Sequence, residues 1–358
     1  AIGNFTILLD NMLKRAGFKT EIVACRAGKG IPEGLTKKKE EIKKLDPDDV
    51  LIYQMCESNP VNRLIECAVC RKIAIYHNVT PPHFFNKWGS FMTELQKTAL
   101  EDLASMRNVF DHVIAVSEYN KRDLIGMGYD ESIIDVIPIL IDFDDYQQSP
   151  DMDTINKYDD GYTNILFVGR IVPNKKQEDI IQTFAYYKKH INSKSRLILA
   201  GSPFSDDYFN DLKKYIEAIG VADVVMPGHV SFKEILAYYN IADILLCMSE
   251  HEGFCVPMLE AMMFDVPIVT YAGAAIPETI GDSGAMFYEK NPVVVSYLID
   301  RVVRDARLRD TIIEKQRAQL EKYSKEKIET IYLNKIKEKG ENFNEKKEKA
   351  FSNIFSYT

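Results

Sequence analysis

The chain has 358 residues, 46% hydrophobic and 27% charged, with a formal net charge of −8, a globular composition long enough for two separate cores. Its acidic balance argues against nucleic-acid binding, which needs a basic face. No apolar run approaches the length of a membrane span and the amino terminus shows no signal-peptide pattern, so a cytoplasmic location is the default expectation.

The first segment, NFTILLDNMLKRAGFKTEIVA, opens with a helix, because Phe5, Leu8, Leu9, Met12 and Leu13 recur at helical spacing. A doubly wound domain ordinarily begins with a strand. AIGN therefore reads as the loop after a first strand that this sequence does not show, with further residues expected before Ala1 in the natural chain. TEIVAC, DVLIYQ, KIAIYH and HVIAVS are short apolar runs bounded by polar turns and read as buried parallel strands. SFMTELQKTALEDLASMRNVF, between the last two, is an amphipathic helix. QQSPDMDTINKYDDGY reads as a polar linker. Beyond it NILFVG, SRLILAG, VVMPGHV, DILLCMS and PIVTYA restart the strand pattern, again separated by helical segments.

This alternation predicts an α/β protein of two doubly wound parallel-sheet domains, over 1–150 and 160–323. A Lys/Glu-rich helical tail follows over 324–358, with Ile328, Ile331, Tyr332 and Ile336 available to pack back across the domains. Ligands of such sheets bind beyond the carboxyl ends of the strands, and two facing domains form a cleft.

Several features have bland readings. The six cysteines are Cys25, Cys56, Cys67, Cys70, Cys247 and Cys255. The C-x-x-C at Cys67 and Cys70 lacks a second ligand pair, so all six are read as reduced structural thiols. The lysines of LTKKKEEIKKLDPDD alternate with acids, which favours a solvated helix over a lipid surface. Asp142 to Asp145, in DFDDY, are read as solvated turn acids. The aromatic residues Phe84, Phe85, Trp88 and Phe91 suit an acceptor surface, a membrane surface or core packing equally.

Three segments carry candidate chemistry. In NILFVGRIVPNKKQ a buried strand ends at Gly169, Arg170 emerges at its carboxyl end, and Lys175 and Lys176 follow one short loop later. A guanidinium and an ammonium so placed suit a diphosphate and the charge that grows on a departing phosphate. In SEHEGFCVPMLEA a strand runs through an acid-rich turn into an apolar helix. Backbone N–H groups near Gly253, Phe254, Cys255 and Val256 form an anion site at that helix start, which Pro257 enters without loss. Glu260, one turn in, is placed for ribose hydroxyls, and Glu252, in the turn, for a group beyond the phosphates. His77 directly follows the strand KIAIY and stands at its carboxyl end, able to hydrogen-bond a sugar hydroxyl or a carbonyl.

Together these residues resemble the retaining GT-B-fold glycosyltransferases of the large bacterial family-four type, also called glycosyl transferases group 1. The resemblance rests on the E-x7-E pattern of Glu252 and Glu260, with FVGRIVPNKKQ, LILAGS, MPGHVSFKEILAYYNIADILL and PIVTYAGAAIPETIGDSG around it in the family's order, and it covers almost the whole chain. It implies a GT-B fold with an acceptor-side first domain and a nucleotide-sugar-binding second domain. Arg170 and Lys175 would grip the donor diphosphate, with Lys176 the substitute if the loop register shifts by one. Glu252 would contact the donor sugar and Glu260 the ribose. Gly253, Phe254, Cys255 and Val256 would present amides, and Gly169 and Gly201 would line the donor site. His229 and Val230 would lie beside the base, His77 near the reacting sugar carbon, and Gly3 in the loop that closes on the phosphates. Cys255 departs from the usual Gly or small residue after EGF, and PIL at Pro138 to Leu140 departs from the usual PNG turn.

The resemblance implies transfer of a hexose from a nucleoside-diphosphate sugar, such as a UDP- or GDP-hexose, to a glycan, lipid-linked or polysaccharide hydroxyl. Anomeric configuration would be retained, and neither cofactor nor metal ion would be needed. No carboxylate of the first domain offers itself as the nucleophile of a double displacement, which leaves a front-face, ion-pair-like substitution. The rival readings are a nucleotide-sugar 2-epimerase of the same fold and a non-catalytic nucleotide-sugar-binding subunit. Peripheral contact with the inner face of a membrane is a further expectation.

Overall fold

A parallel strand pair needs a crossover connection, and the chain places a helix or a turn of helix between nearly all of its strands. The computed structural model describes residues 2–24, 34–58, 60–88 and 90–339. Cys25 and residues 340–358 of the expected tail lie outside the described residues. Two compact units divide the chain, the first comprising residues 1–83, 90–142 and 323 onward, the second residues 84–89 and 143–322.

The first unit begins with helix α1 (Ile2–Arg15), which buries Phe5, Leu9, Met12 and Leu13. Strands β1 (Ile22–Val23) and β2 (Thr36–Lys37) form a parallel pair. A separate four-stranded parallel sheet has the order β3-β4-β5-β6, from β3 (Val50–Met55), β4 (Arg71–Tyr76), β5 (His112–Ala115) and β6 (Ile134–Val136). Helices α2 (Asn62–Cys67), α3 (Ser90–Ser105) and α4 (Glu118–Gly126) connect them. Every residue of β3 is buried, which is why VLIYQM shows no polar alternation. Ser117 caps α4 by accepting from the Asn120 N–H.

The second unit holds α5 (Met152–Tyr158), β7 (Thr163–Val168), α6 (Gln177–His190), β8 (Ser195–Ala200), α7 (Asp206–Ile219), β9 (Val224–Gly228) and α8 (Phe232–Ile241). It continues with β10 (Ile244–Cys247), α9 (Val256–Met263), β11 (Ile268–Tyr271), α10 (Ile276–Ile280), β12 (Ala285–Phe287), α11 (Pro292–Arg304) and α12 (Ala306–Leu320). Its six parallel strands have the order β12-β11-β10-β7-β8-β9. The chain winds outward from β7 to β9, then returns to the other side of β7 and winds outward through β10 to β12. The reversal lies between β7 and β10, where doubly wound sheets form their ligand crevice. Polar caps start the helices: Ser205 begins α7, Ser231 and Glu234 form a capping box on α8, and Asn291 and Asp305 begin α11 and α12.

The last helix, α13 (Lys325–Lys339), returns to the first unit. Tyr332 donates to the Ile137 carbonyl (3.3 Å), Lys335 pairs with Asp135 (2.7 Å) and Lys325 with Asp142. Asp142 is therefore not a solvated turn acid but half of an ion pair that ties this helix down.

Other sequence readings also change. The expected linker contains α5, started by Asp151, which accepts from the Thr154 N–H (2.8 Å). Residues 84–88 pack with the second unit, not the first. Phe85 is buried against Phe204, and Trp88 lies edge-on to Tyr208 while its Nε1 donates to Asp211 (3.0 Å). These two aromatic residues are packing residues, whereas Phe91 is 75% exposed. Among the described residues, no helix is long and apolar enough to cross a membrane.

The carboxyl edge of this second sheet depends on Gly201. A Cβ there would lie 1.8 Å from the Gly169 carbonyl oxygen, and its φ of +156° is unfavourable for other residues. Gly201→Ala is expected to destabilise the second unit by about 2–4 kcal/mol, from overpacking and backbone strain together. Gly126→Ala, at an open helical position, should gain up to about 1 kcal/mol. Urea midpoints of the two variants test this; equal midpoints would contradict it.

Candidate functional site

Arg170 and Lys175 are placed by one short stretch after β7. Gly169 ends the strand, and Arg170 turns an exposed side chain outward, in no ion pair with the described residues. A turn of helix over Pro173–Lys175 follows, and Lys176 then adopts a left-handed conformation (φ +56°) as the residue before α6. This twist sends the two lysines apart. Lys175 turns inward and pairs with Glu252. Lys176 turns toward Glu250, 3.4 Å away, with its ammonium over the Phe84 ring. Burial works against the Lys175 charge, but the Glu252 carboxylate more than offsets it and holds the ammonium above its ordinary range.

Glu252 belongs to the turn between β10 and α9, so its pair with Lys175 spans the reversal point of the sheet. The turn is fixed from two sides. Asn174, buried before Lys175, accepts from the Glu250 N–H (2.9 Å) and donates from Nδ2 to the His251 carbonyl (2.9 Å). From the other side Thr279 donates to the Phe254 carbonyl (2.6 Å), and Ala275 N–H to the Glu252 carbonyl (3.3 Å). Gly273 fits because any Cβ there would lie 2.6 Å from the Ser249 carbonyl oxygen. Lys290 completes the support by bonding both Asp179 (3.0 Å) and Glu250 (2.7 Å). Burial opposes ionisation of Glu250, yet Lys290 and Lys176 hold its carboxyl below the usual range.

Helix α9 starts at Val256, after Gly253, Phe254 and Cys255, with Pro257 in its first turn. Within its first turn Met258 N–H already donates to the Cys255 carbonyl (3.0 Å) and Pro257 has no N–H, which leaves the N–H groups of the turn from Gly253 to Val256 as the ones an anion at this helix end would meet. Glu260 is reached by two phenols: Tyr146 donates to Oε1 and Tyr239 to Oε2, each at 2.7 Å. Burial raises the Glu260 carboxyl above its usual range, against the lowering effect of those two bonds. Across the sheet, Ser202, beside Gly201, bonds His229 Nδ1 (3.0 Å), with Val230 next in the chain at the end of β9.

The remaining predicted residues, His77 and Gly3, belong to the first unit. His77 directly follows β4; its Nε2 donates to Gln54 Oε1, and Phe5 meets the ring edge-on at 5.2 Å. Gly3 is buried in the first turn of α1. His77 Nδ1 and Gln54 Nε2 find no partner among the described residues. Burial pushes the His77 imidazole down to about 3, so near neutral pH it is an uncharged hydrogen-bonding group.

Sequence reading missed Asn174, Tyr146, Tyr239, Thr279 and Lys290. Asn174 and Thr279 stood inside quoted motifs, next to the charged residues that drew attention. The two tyrosines lay in segments read as a turn and a helix, with no spacing that tied them to Glu260.

Because the folded state disfavours protonated His77, the unfolded chain binds the extra proton between about pH 6.5 and about pH 3, and stability falls as pH drops through that window. His77→Gln should therefore lose less melting temperature than the wild type between pH 7 and pH 4. Thermal scans at both values test this, and an equal loss would contradict it.

Comparison with known proteins places this geometry in a family. The profile of the glycosyl transferases group 1 family matches residues 149–327, half of the chain and most of the second unit. An uncharacterized glycosyltransferase of Methanocaldococcus jannaschii is 33% identical over 178 residues, 48% of this chain and 44% of that protein. The capsular polysaccharide biosynthesis glycosyltransferase CapM of Staphylococcus aureus is 25% identical over 267 residues, 69% of this chain and 65% of that protein. The matched chain thus spans less than two thirds of the length of either relative. Among solved structures, Anabaena HepE in complex with UDP-glucose superposes with a TM-score of 0.75 at 17% identity, covering 93% of this chain and 96% of that one. That likeness carries the fold, GT-B with parallel α/β sheets. By its family profile and its fold, the chain belongs to the glycosyl transferases group 1 family.

Proposed function

We propose that the protein transfers a hexose from a nucleoside-diphosphate sugar to an acceptor hydroxyl, with retention at the anomeric carbon and without a metal ion. The observation that carries this reading is the cluster at the reversal point of the second sheet: Arg170 exposed at the end of β7, Lys175 paired with Glu252, and the α9 amides alongside. Arg170, Lys175 and the amides near Gly253 to Val256 would bind the diphosphate and stabilise the charge it gains on leaving. Lys175 would then serve two anions, Glu252 and the phosphates. Glu252 would accept hydrogen bonds from donor-sugar hydroxyls. Glu260 would receive the ribose, in exchange for or beside one of its phenol donors.

His77, neutral at working pH, would offer a hydrogen bond rather than a charge to the reacting sugar. A retaining transfer would bring the acceptor oxygen to the face that the leaving diphosphate vacates. HepE was crystallised in complex with UDP-glucose, and CapM is a capsular polysaccharide biosynthesis glycosyltransferase. Both are in keeping with a nucleotide-sugar donor and a glycan or lipid-linked acceptor here. An acceptor of that kind would bring the enzyme into peripheral contact with a membrane.

The test is a panel of UDP-, GDP-, ADP- and dTDP-sugars, each with EDTA, read by thermal shift and by slow release of the sugar. One nucleotide sugar should stabilise the chain, and its sugar should be released without metal. Arg170→Ala, an exposed change, should slow that release about a hundredfold with little change in melting temperature. Glu252→Ala should abolish it. Proton NMR of the released sugar should show the donor's anomeric configuration first. Conversion of the donor to its 2-epimer would point to the epimerase instead, binding without turnover to a binding subunit, and full loss on EDTA treatment would overturn the metal-free mechanism.

A further inference from the structure

Cys247 is the last residue of β10 and Cys255 the residue before α9, so the two bracket the turn that carries Glu252. Both are buried. Their sulfur atoms and a Glu252 carboxylate oxygen all lie within 4.8 Å of one another. Cys247 donates to Ser249 Oγ (3.3 Å), and the Cys255 sulfur lies beside the Cys247 sulfur. The neighbouring Cys255 thiol holds the Cys247 thiol below its ordinary range and is itself pushed well above its own.

Cys255 has φ +72°, a left-handed conformation in which glycine is at ease and a side chain is strained. Its side chain makes no capping bond to α9 that would offset this. A side chain is thus kept at a position built for glycine, and what it brings there is a sulfur facing another sulfur.

We propose that Cys247 and Cys255 form a reversible disulfide-forming pair that reshapes the turn carrying Glu252. A thiophilic cation is the weaker occupant, because Glu252, the third group of the cluster, already pairs with Lys175, whose ammonium repels a cation. The oxidant is a small disulfide. The Cys247 thiolate attacks one of its sulfurs and expels the first thiolate as leaving group. The Cys255 thiolate then attacks the Cys247 sulfur of the mixed disulfide and expels the second. Two electrons pass from the protein to the small disulfide, and the two thiol protons end on its reduced halves. Bond formation draws the sulfurs to about 2.05 Å and moves Cys255 together with the turn before it. That this movement weakens donor binding rests on the function proposed above.

The experiment treats the full chain with glutathione disulfide, cleaves it after glutamate, and maps the fragments by mass without reduction. Glu250 and Glu252 lie between the two cysteines, so a bond keeps the cut halves joined. The expected result is that linkage, a loss of at least tenfold in UDP-glucose affinity, and recovery of both on adding dithiothreitol. Cys247→Ala and Cys247→Ser should keep their affinity through the same treatment, although they retain the other cysteines. Absence of the Cys247–Cys255 linkage would overturn the proposal, as would an equal loss of affinity in both variants. If the reduced chain binds no nucleotide sugar, the donor reading falls, while the mass map alone still decides the disulfide.

Discussion

The second unit is organised around one ion pair, buried at Glu252 and mostly buried at Lys175. Lys175 and Glu252 come from opposite sides of the point where the strand order reverses, and each removes the cost of burying the other. Deleting one partner would leave a lone buried charge, typically a loss of about 3–5 kcal/mol. The surrounding polar residues make sense as supports of that pair. Asn174 ties the loop after β7 to the turn after β10, Thr279 and Gly273 hold the turn from the β11 side, and Lys290 with Glu250 steadies its first residue.

The same economy separates the two glutamates of the E-x7-E pattern. Glu252 answers a cation, and Glu260 answers two phenols. A carboxylate that accepts only neutral donors in a buried place can exchange one hydroxyl for another at little cost, which suits a partner made of hydroxyls. One paired with an ammonium keeps a fixed position, which suits orientation. In the first unit, His77 is kept neutral by burial and contributes hydrogen bonding without charge.

Much of this was legible in the sequence, for identifiable reasons. Buried parallel strands are long apolar runs, so β3, β4, β7, β8, β10 and β11 were readable, whereas β2, β6 and β12 have two or three residues and no run to read. Helix α5 was missed because its polar composition outweighed the capping signal of Asp151. The charged members of the site stood out because charge at a strand end is unusual. Their supports did not, since Asn174, Tyr146 and Tyr239 act through contacts that only the fold creates. The pairing of Lys175 with Glu252 was equally hidden, because the left-handed turn at Lys176 decides which lysine faces inward.

Hydrogen–deuterium exchange of the full chain, alone and with whichever nucleotide sugar stabilises it, tests whether the reversal point of the second sheet is the donor site. If the donor is held at the reversal point of the second sheet, amides of residues 169–176 and 249–260 should exchange more slowly with ligand bound. Bound ligand that leaves both stretches unprotected, or protects the first unit alone, would place the donor elsewhere.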